Sequence, residues 1–274
     1  LARQNYRNFE VIVVDDCSDD TSALVDVIES HRFRDLDLRI DISKVKLNGS
    51  GARNRGIELS RGDYICFLDA DDAWREDKLG ATAELIRELT RKGNSRFVVF
   101  SKLDVLRDGV QVKTLPLRAK RPNESVASYI FGHAGFIQTS TLALSRSDAL
   151  GIKFNPNFVR HQDYDFCVRA DRLGYSFHMI DEPLVRYHVT SGFRNKAKGE
   201  SARYSQFWLD AMAPYLTIHE INSYRAFRLP SRHLMDGNRF AALSSFLKFF
   251  PFTRAREKMD LLHRAFVALR NRLP

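Results

Sequence analysis

Gly62-Asp-Tyr-Ile-Cys-Phe-Leu-Asp-Ala-Asp-Asp72 decides the fold. Its Gly-Asp turn leads into an apolar run, Tyr64 to Leu68, too short for a helix and rich in the residues that fill buried strands. The run ends in three carboxylates, Asp69, Asp71 and Asp72. Phe9-Glu-Val-Ile-Val-Val-Asp15 has the same character and also ends in acid, Asp15-Asp16-Cys17-Ser18-Asp19-Asp20. Between the two runs, Leu24, Val27 and Ile28 predict a helix over 21–30. Alternation predicts a strand over 36–42, and 51–60 reads as a short helix. Beyond them follow a helix over 76–91 and a strand over 97–103. This β-α rhythm predicts an α/β fold with a mostly parallel sheet flanked by helices.

In open α/β sheets ligands bind beyond the carboxyl ends of the strands, where both acidic clusters fall. Carboxylates this dense repel one another unless a cation or hydrogen-bond donors compensate. Mg²⁺ and Mn²⁺ accept oxygen ligands and share them with substrate phosphates. Either cluster alone reads more simply as a solvated loop with Asp and Ser capping the next helix. Two of them at strand ends in one sheet favour a nucleotide and metal site.

Asn8-Phe-Glu-Val-Ile-Val-Val-Asp-Asp-Cys-Ser-Asp-Asp-Thr21, Asn48-Gly-Ser-Gly-Ala-Arg-Asn-Arg-Gly56 and the block ending at Asp72 together resemble family 2 glycosyltransferases of the GT-A fold. A bare D-x-D is weak, whereas three blocks in order are specific. The resemblance implies transfer of a sugar from a nucleotide diphosphate sugar, with UDP the expected nucleotide, to an acceptor hydroxyl with inversion. It places Asp16 or its neighbour Asp15 on the donor base, Arg53 near the nucleotide, Asp69 on the ribose and metal, and Asp71 on the metal, Mn²⁺ or Mg²⁺. Asp72 is expected to support or cap. His161-Gln-Asp163-Tyr-Asp165 resembles the segment that carries the catalytic base, which falls on Asp163. Tyr187-His188 resembles a late histidine that completes the metal shell in some GT-A enzymes. A surface arginine, a helix cap and a structural histidine are the plain alternatives for Arg53, Asp163 and His188.

The family's members begin with a strand and helix ahead of the first block. The chain opens at Leu1 in what reads as the tail of that helix. The resemblance therefore implies a first strand missing from this form, and its activity without that strand is in doubt.

The middle is less regular, with a short helix expected over 125–131 and a strand over 136–144. A helix over 161–173 and two extended stretches, 175–180 and 184–188, follow. Beyond Ser201 helices are predicted over 204–215, 239–250 and 254–270. The reading divides the chain into a GT-A-like domain, 1–195, and a helical, basic C-terminal extension, 196–274. From Arg186 onward there are 16 Lys/Arg against 6 Asp/Glu, within a net charge of +9. A basic tail suits an anionic neighbour. The expected partners are a nucleotide-sugar donor and a saccharide or lipid-linked saccharide acceptor. For the helix over 239–250, packing on the catalytic domain is the simpler expectation. Peripheral membrane contact through the basic C-terminal helices is the alternative, and no nucleic acid is expected.

The resemblance implies bacterial surface-polysaccharide synthesis in the cytoplasm or on the inner face of the membrane. Three scattered cysteines, Cys17, Cys66 and Cys167, match no metal-ligand spacing. Two other classes compete. A nucleotidyltransferase would normally bring an early Gly-rich phosphate loop, which is absent from this stretch. A nucleic-acid-binding module would place its aromatics as a stacking platform rather than at helical core spacing.

Overall fold

The computed structural model describes residues 1–29, 35–132, 135–189 and 201–261. Strands β1 (Glu10–Asp15) and β2 (Asp37–Ile42) pair in parallel, with α1 (Thr21–Glu29) between them in sequence. Helix α2 (Asn48–Leu59) packs on β1, and Gly56 lies close to Val14 there. A six-stranded sheet follows, built from β3 (Tyr64–Cys66), β4 (Ala73–Trp74), β5 (Phe97–Arg107), β6 (Val110–Leu115), β7 (Ala143–Ser145) and β8 (Ser176–Val189). Its order is β3-β7-β5-β8-β4, with β6 paired to the side of β5.

The two longest ladders, β1·β2 and β5·β8, are parallel. By paired residues the strands are therefore mostly parallel, as expected. Antiparallel pairing enters through the shorter ladders, β3·β7, β4·β8, β5·β6 and β5·β7.

Several elements differ from the reading of the sequence. The expected strand over 136–144 shrinks to β7, because Thr139–Thr141 form a buried 3₁₀ turn. The Gln138 side chain accepts from Ser140 N, so this polar run satisfies itself locally instead of entering the ladder. The two extended stretches after residue 175 are one strand, β8, which slips register opposite Ser101 and Lys102. Residues 1–6 form a turn rather than a helix tail. There Gln4 Nε2 donates to Arg75 O at 2.6 Å, and Gln4 Oε1 accepts from Leu79 N at 2.8 Å. Gln4 thereby satisfies a backbone donor in the first turn of α3 (Lys78–Arg91).

The main core lies between the sheet and α4 (Val126–Phe131), α6 (Gln162–Arg172), α7 (Ala202–Met212) and α8 (Ile218–Phe227). Phe100, Phe131, Phe166, Trp208 and Tyr224 are fully buried in it. Burying each such side chain contributes about 1.5–3 kcal/mol before entropy is counted. Trp208 and Tyr224 share this cluster with Phe67 and Val98, so α7 and α8 are packed into the body of the fold. Helix α5 (Arg146–Ile152) lies against α2 and α6, while α9 (Leu229–Met235) and α10 (Arg239–Phe249) pack on α8. The expected boundary near residue 195 lies outside the described residues, as does most of the helix expected over 254–270.

Candidate active site

The loop after β3 places Asp69, Asp71 and Asp72 beside the 3₁₀ turn and the end of β8. Asp69 N donates to Ser140 Oγ at 3.0 Å. Asp72 Oδ2 accepts from Ser140 Oγ at 2.6 Å and from Gln138 Nε2 at 2.8 Å. Gln138 Nε2 also lies 3.2 Å from Asp69 Oδ2. Trp74 closes the turn from the other side, donating Nε1 to Ser140 O at 2.8 Å. Burial, with Asp71 and Asp69 adding to it, pushes the Asp72 carboxyl up to about 6. Asp72 thus buttresses the loop through Ser140 and Gln138.

Arg53 joins this loop to the segment that opens α6. Its Nε and Nη2 donate to Asp69 Oδ1 at 3.2 and 2.5 Å, and its Nη1 donates to Gln162 Oε1 at 2.5 Å. Asp163 follows Gln162 at the start of α6. It is half-buried. Burial pushes its carboxyl up to about 6; the backbone N–H of Tyr164 and the charge of Arg53 oppose that rise, and Asp69 adds to it. A carboxylate tuned towards neutrality and set beside the D-x-D has the properties a general base requires. Gly49 permits this junction, because a Cβ there would stand 3.0 Å from both Arg53 Nη1 and Gln162 Oε1.

The backbone leading into α6 is held by strain and burial. His161 is left-handed at φ 58°, a conformation that costs a non-glycine residue of order 1 kcal/mol and tends to mark functional sites. Its buried ring stacks on Tyr164, and its Nε2 lies 3.1 Å from Tyr224 Oη and 3.3 Å from Ser205 Oγ. Burial pushes its pKa down to about 3, assisted by Arg232, Arg160 and Arg228, so the imidazole is neutral. His161 is a core hub that fixes α6 and not a residue open to an acceptor. Asp165 is buried and ion-paired with Arg169 at 2.6 Å, which makes it structural.

His188, exposed at the end of β8, reaches back to the acidic loop. Its backbone N–H donates to Asp72 Oδ1 at 3.4 Å, and Nδ1 lies 3.1 Å from the Asp71 carbonyl. The carbonyl can only accept, so this contact is a hydrogen bond when Nδ1 carries the proton, the arrangement in which Nε2 of a neutral imidazole is free for a metal. The Asp71 carboxylate is exposed and makes no hydrogen bond or ion pair among the described residues. No group of three or more His, Cys, Asp or Glu forms a preassembled cage among those residues. A hard divalent cation that shares its shell with a diphosphate needs only one or two protein carboxylates. Asp71 and His188 fit that requirement, while Asp69 already has its oxygens engaged by Arg53 and Gln138.

The first acidic cluster divides its labour. Asp15 is buried, and its Oδ2 accepts from Thr21 Oγ1 at 2.7 Å and from Ser18 N at 3.4 Å. Hydrogen bonding by the Ser18 and Thr21 side chains, with the Ser18 N–H and the charge of Lys46 adding to it, holds its carboxyl below the usual range against the opposing effect of burial. It orders the loop into α1. Asp16 instead points to the lead-in of α2, accepting from Leu47 N and pairing with Lys46 at 3.4 Å. Helix α2 therefore links both clusters, with Asp16 tied at its entry and Asp69 held by Arg53 further along. Gln138 and Ser140 were not singled out from the sequence, and Gln162 and Gly49 stood inside the quoted blocks without an assigned partner, since no local pattern marks partners so distant along the chain.

A family model described as Glycosyl transferase family 2 matches residues 1–149. The amylovoran biosynthesis glycosyltransferase AmsB of Erwinia amylovora is 48% identical over 273 residues, covering 100% of this chain and 91% of that protein. Among solved structures, S. aureus TarS 1–349 in complex with UDP-GlcNAc superposes with a TM-score of 0.64 at 19% identity, covering 93% of this chain and 76% of that one. The mannosyltransferase PcManGT of Pyrobaculum calidifontis, in complex with GDP-Man and Mn²⁺, gives 0.56 at 18% identity, covering 97% and 74%.

Proposed function

The chain belongs to the family 2 glycosyltransferases, and from that premise we propose that it moves a sugar from a UDP-sugar to an acceptor hydroxyl with inversion, in the building of a surface polysaccharide. The observation that carries the site assignment is the bridge Asp69–Arg53–Gln162, which sets the D-x-D loop against Asp163. Asp16 would meet the donor base and Asp69 the ribose. Asp71 and His188 would hold Mn²⁺ or Mg²⁺, which supplies Lewis-acid stabilisation of the departing diphosphate when bound.

Asp163 then takes the acceptor proton as the hydroxyl oxygen attacks the anomeric carbon from the face opposite the nucleotide. Arg53 keeps the Asp69 carboxylate aimed and places a cation near Asp163, so the base stays ionised at neutral pH. Tyr187 is held protonated, pushed up to about 12 by burial with Asp163 and Asp72 nearby, and it contributes wall and not charge. The relation to AmsB, a protein named for amylovoran biosynthesis, supports a polysaccharide acceptor. A lipid-linked saccharide is the finer form of that assignment, and contact with a membrane is argued below.

The products separate this reading from nucleotidyl transfer. Incubation with UDP-sugars, Mn²⁺ and a saccharide acceptor should release UDP and no pyrophosphate. Pyrophosphate release from a nucleoside triphosphate and sugar phosphate would replace it with the nucleotidyltransferase reading.

A further inference from the structure

Helix α10 presents its large apolar side chains outward. Its buried positions are Ala242 and Ser245, whereas Phe240, Leu243 and Leu247 are 84%, 57% and 60% exposed. At spacings of three and four they share one face. Ser244 and Lys248 complete a shallow groove along it. Phe252, in the 3₁₀ turn Phe250–Phe252 that follows, is also 60% exposed. A helix on a protein in water normally turns such a stripe inward.

The charge around this stripe has one sign. From 239 to 256 the chain carries Arg239, Lys248, Arg254 and Arg256, all exposed, and no Asp or Glu. Glu257, the next acid, is buried against Ser223 at 2.5 Å. Lys248 Nζ lies 5.3 Å from the centre of the Phe249 ring, so cation and aromatic occupy the same stretch of surface.

We infer that this face of α10 docks on an anionic lipid surface. Phe240, Leu243 and Leu247 enter the boundary between headgroups and acyl chains, and the basic residues meet the negative headgroups. A second copy is the poorer occupant. A twofold contact through the same stripe would bring Arg239 and Lys248 of both copies together, and like charges repel. Helix α10 itself packs on α8, whose Tyr224 lies 3.1 Å from His161, two residues from Asp163. The docking itself needs no catalysis and stands apart from the sugar-transfer reading.

The test is co-sedimentation of the full chain with vesicles of phosphatidylcholine, with and without phosphatidylglycerol. Binding should require the anionic lipid and should weaken at about 0.5 M salt, where screening is short-ranged. The double variant Leu243→Asp, Leu247→Asp should bind at least about tenfold more weakly, having lost its apolar insertion. Val110→Ser, which removes a 66% exposed apolar residue on β6, should bind as the parent does. Both variants should keep the parent's thermal midpoint and its calorimetric response to UDP, so a vesicle result is not confused with failure of the donor site. Equal binding to both vesicle types, or undiminished binding of the double variant, would overturn the inference. So would a dimer in sedimentation velocity that the double variant dissolves, which would give the face to a second copy.

Discussion

Asp163 ionises in surroundings that resist its charge: burial raises its pKa to about 6, against the pull of the Tyr164 N–H and Arg53. Turnover should therefore rise with pH through about 6 as the base loses its proton, and level off above it. Asp163→Asn should lower kcat by roughly 10²–10⁴-fold and flatten that rise, while UDP binding persists. The stability linkage runs the opposite way. A carboxyl whose folded pKa lies above its unfolded value favours the fold fully below about pH 4 and progressively less up to about pH 6. At pH 8 the variant should accordingly be no less stable than the parent, and an inactive variant that has also lost its thermal midpoint would argue for a structural role. The two acidic strand ends were visible in the sequence, because acid directly after an apolar strand is a local pattern, whereas Asp163, at the start of a helix, was singled out only through the resemblance. Gln138 and Ser140 were not singled out, and Gln162 and Gly49 stood in the quoted blocks without a role, since each matters through a residue about 70 to 110 positions away or through the space it leaves.

Among the elements, α8 shows a signal that was present in the chain and passed over. Thr217 and Glu220 form a reciprocal capping box, the side chain of each accepting from the backbone of the other. Glu220 is also buried, pairing with Arg172 at 2.6 Å and accepting from Ser125 Oγ, so the cap of α8 is fastened to α4 and α6. Thr217→Ala should cost about 1 kcal/mol in urea unfolding. A change below a few tenths would mean that the box is incidental. Hairpin β5–β6 had a comparable cue in Asp108-Gly109, both at positive φ, a pair suited to a tight turn between strands. The strand expected over 136–144 failed for a different reason. Its apolar ends, Phe136-Ile137 and Leu142-Ala-Leu144, flank the polar run 138–141, where the Gln138 side chain accepts from Ser140 N and the chain winds into a turn.

Across the whole molecule, sequence reading reached the α/β architecture and the two acidic strand ends, since both follow from runs and turns within a few residues. It expected the helix over 239–250 to pack on the catalytic domain, and α10 packs on α8. It did not reach the insertion of α7 and α8 into the main core through Trp208 and Tyr224, because helical spacing identifies an apolar face but not what that face meets. The central claim is that this assembly makes a donor site in which Asp71 recruits a divalent cation to the nucleotide diphosphate. Calorimetric titration of UDP, with Mn²⁺ and with chelator, into the parent and into Asp71→Asn tests it most directly, with GDP as the control nucleotide. The account predicts UDP binding that requires Mn²⁺, is weaker or absent with GDP, and falls at least about tenfold in Asp71→Asn. UDP binding of equal strength in parent and variant, indifferent to the metal, would contradict it.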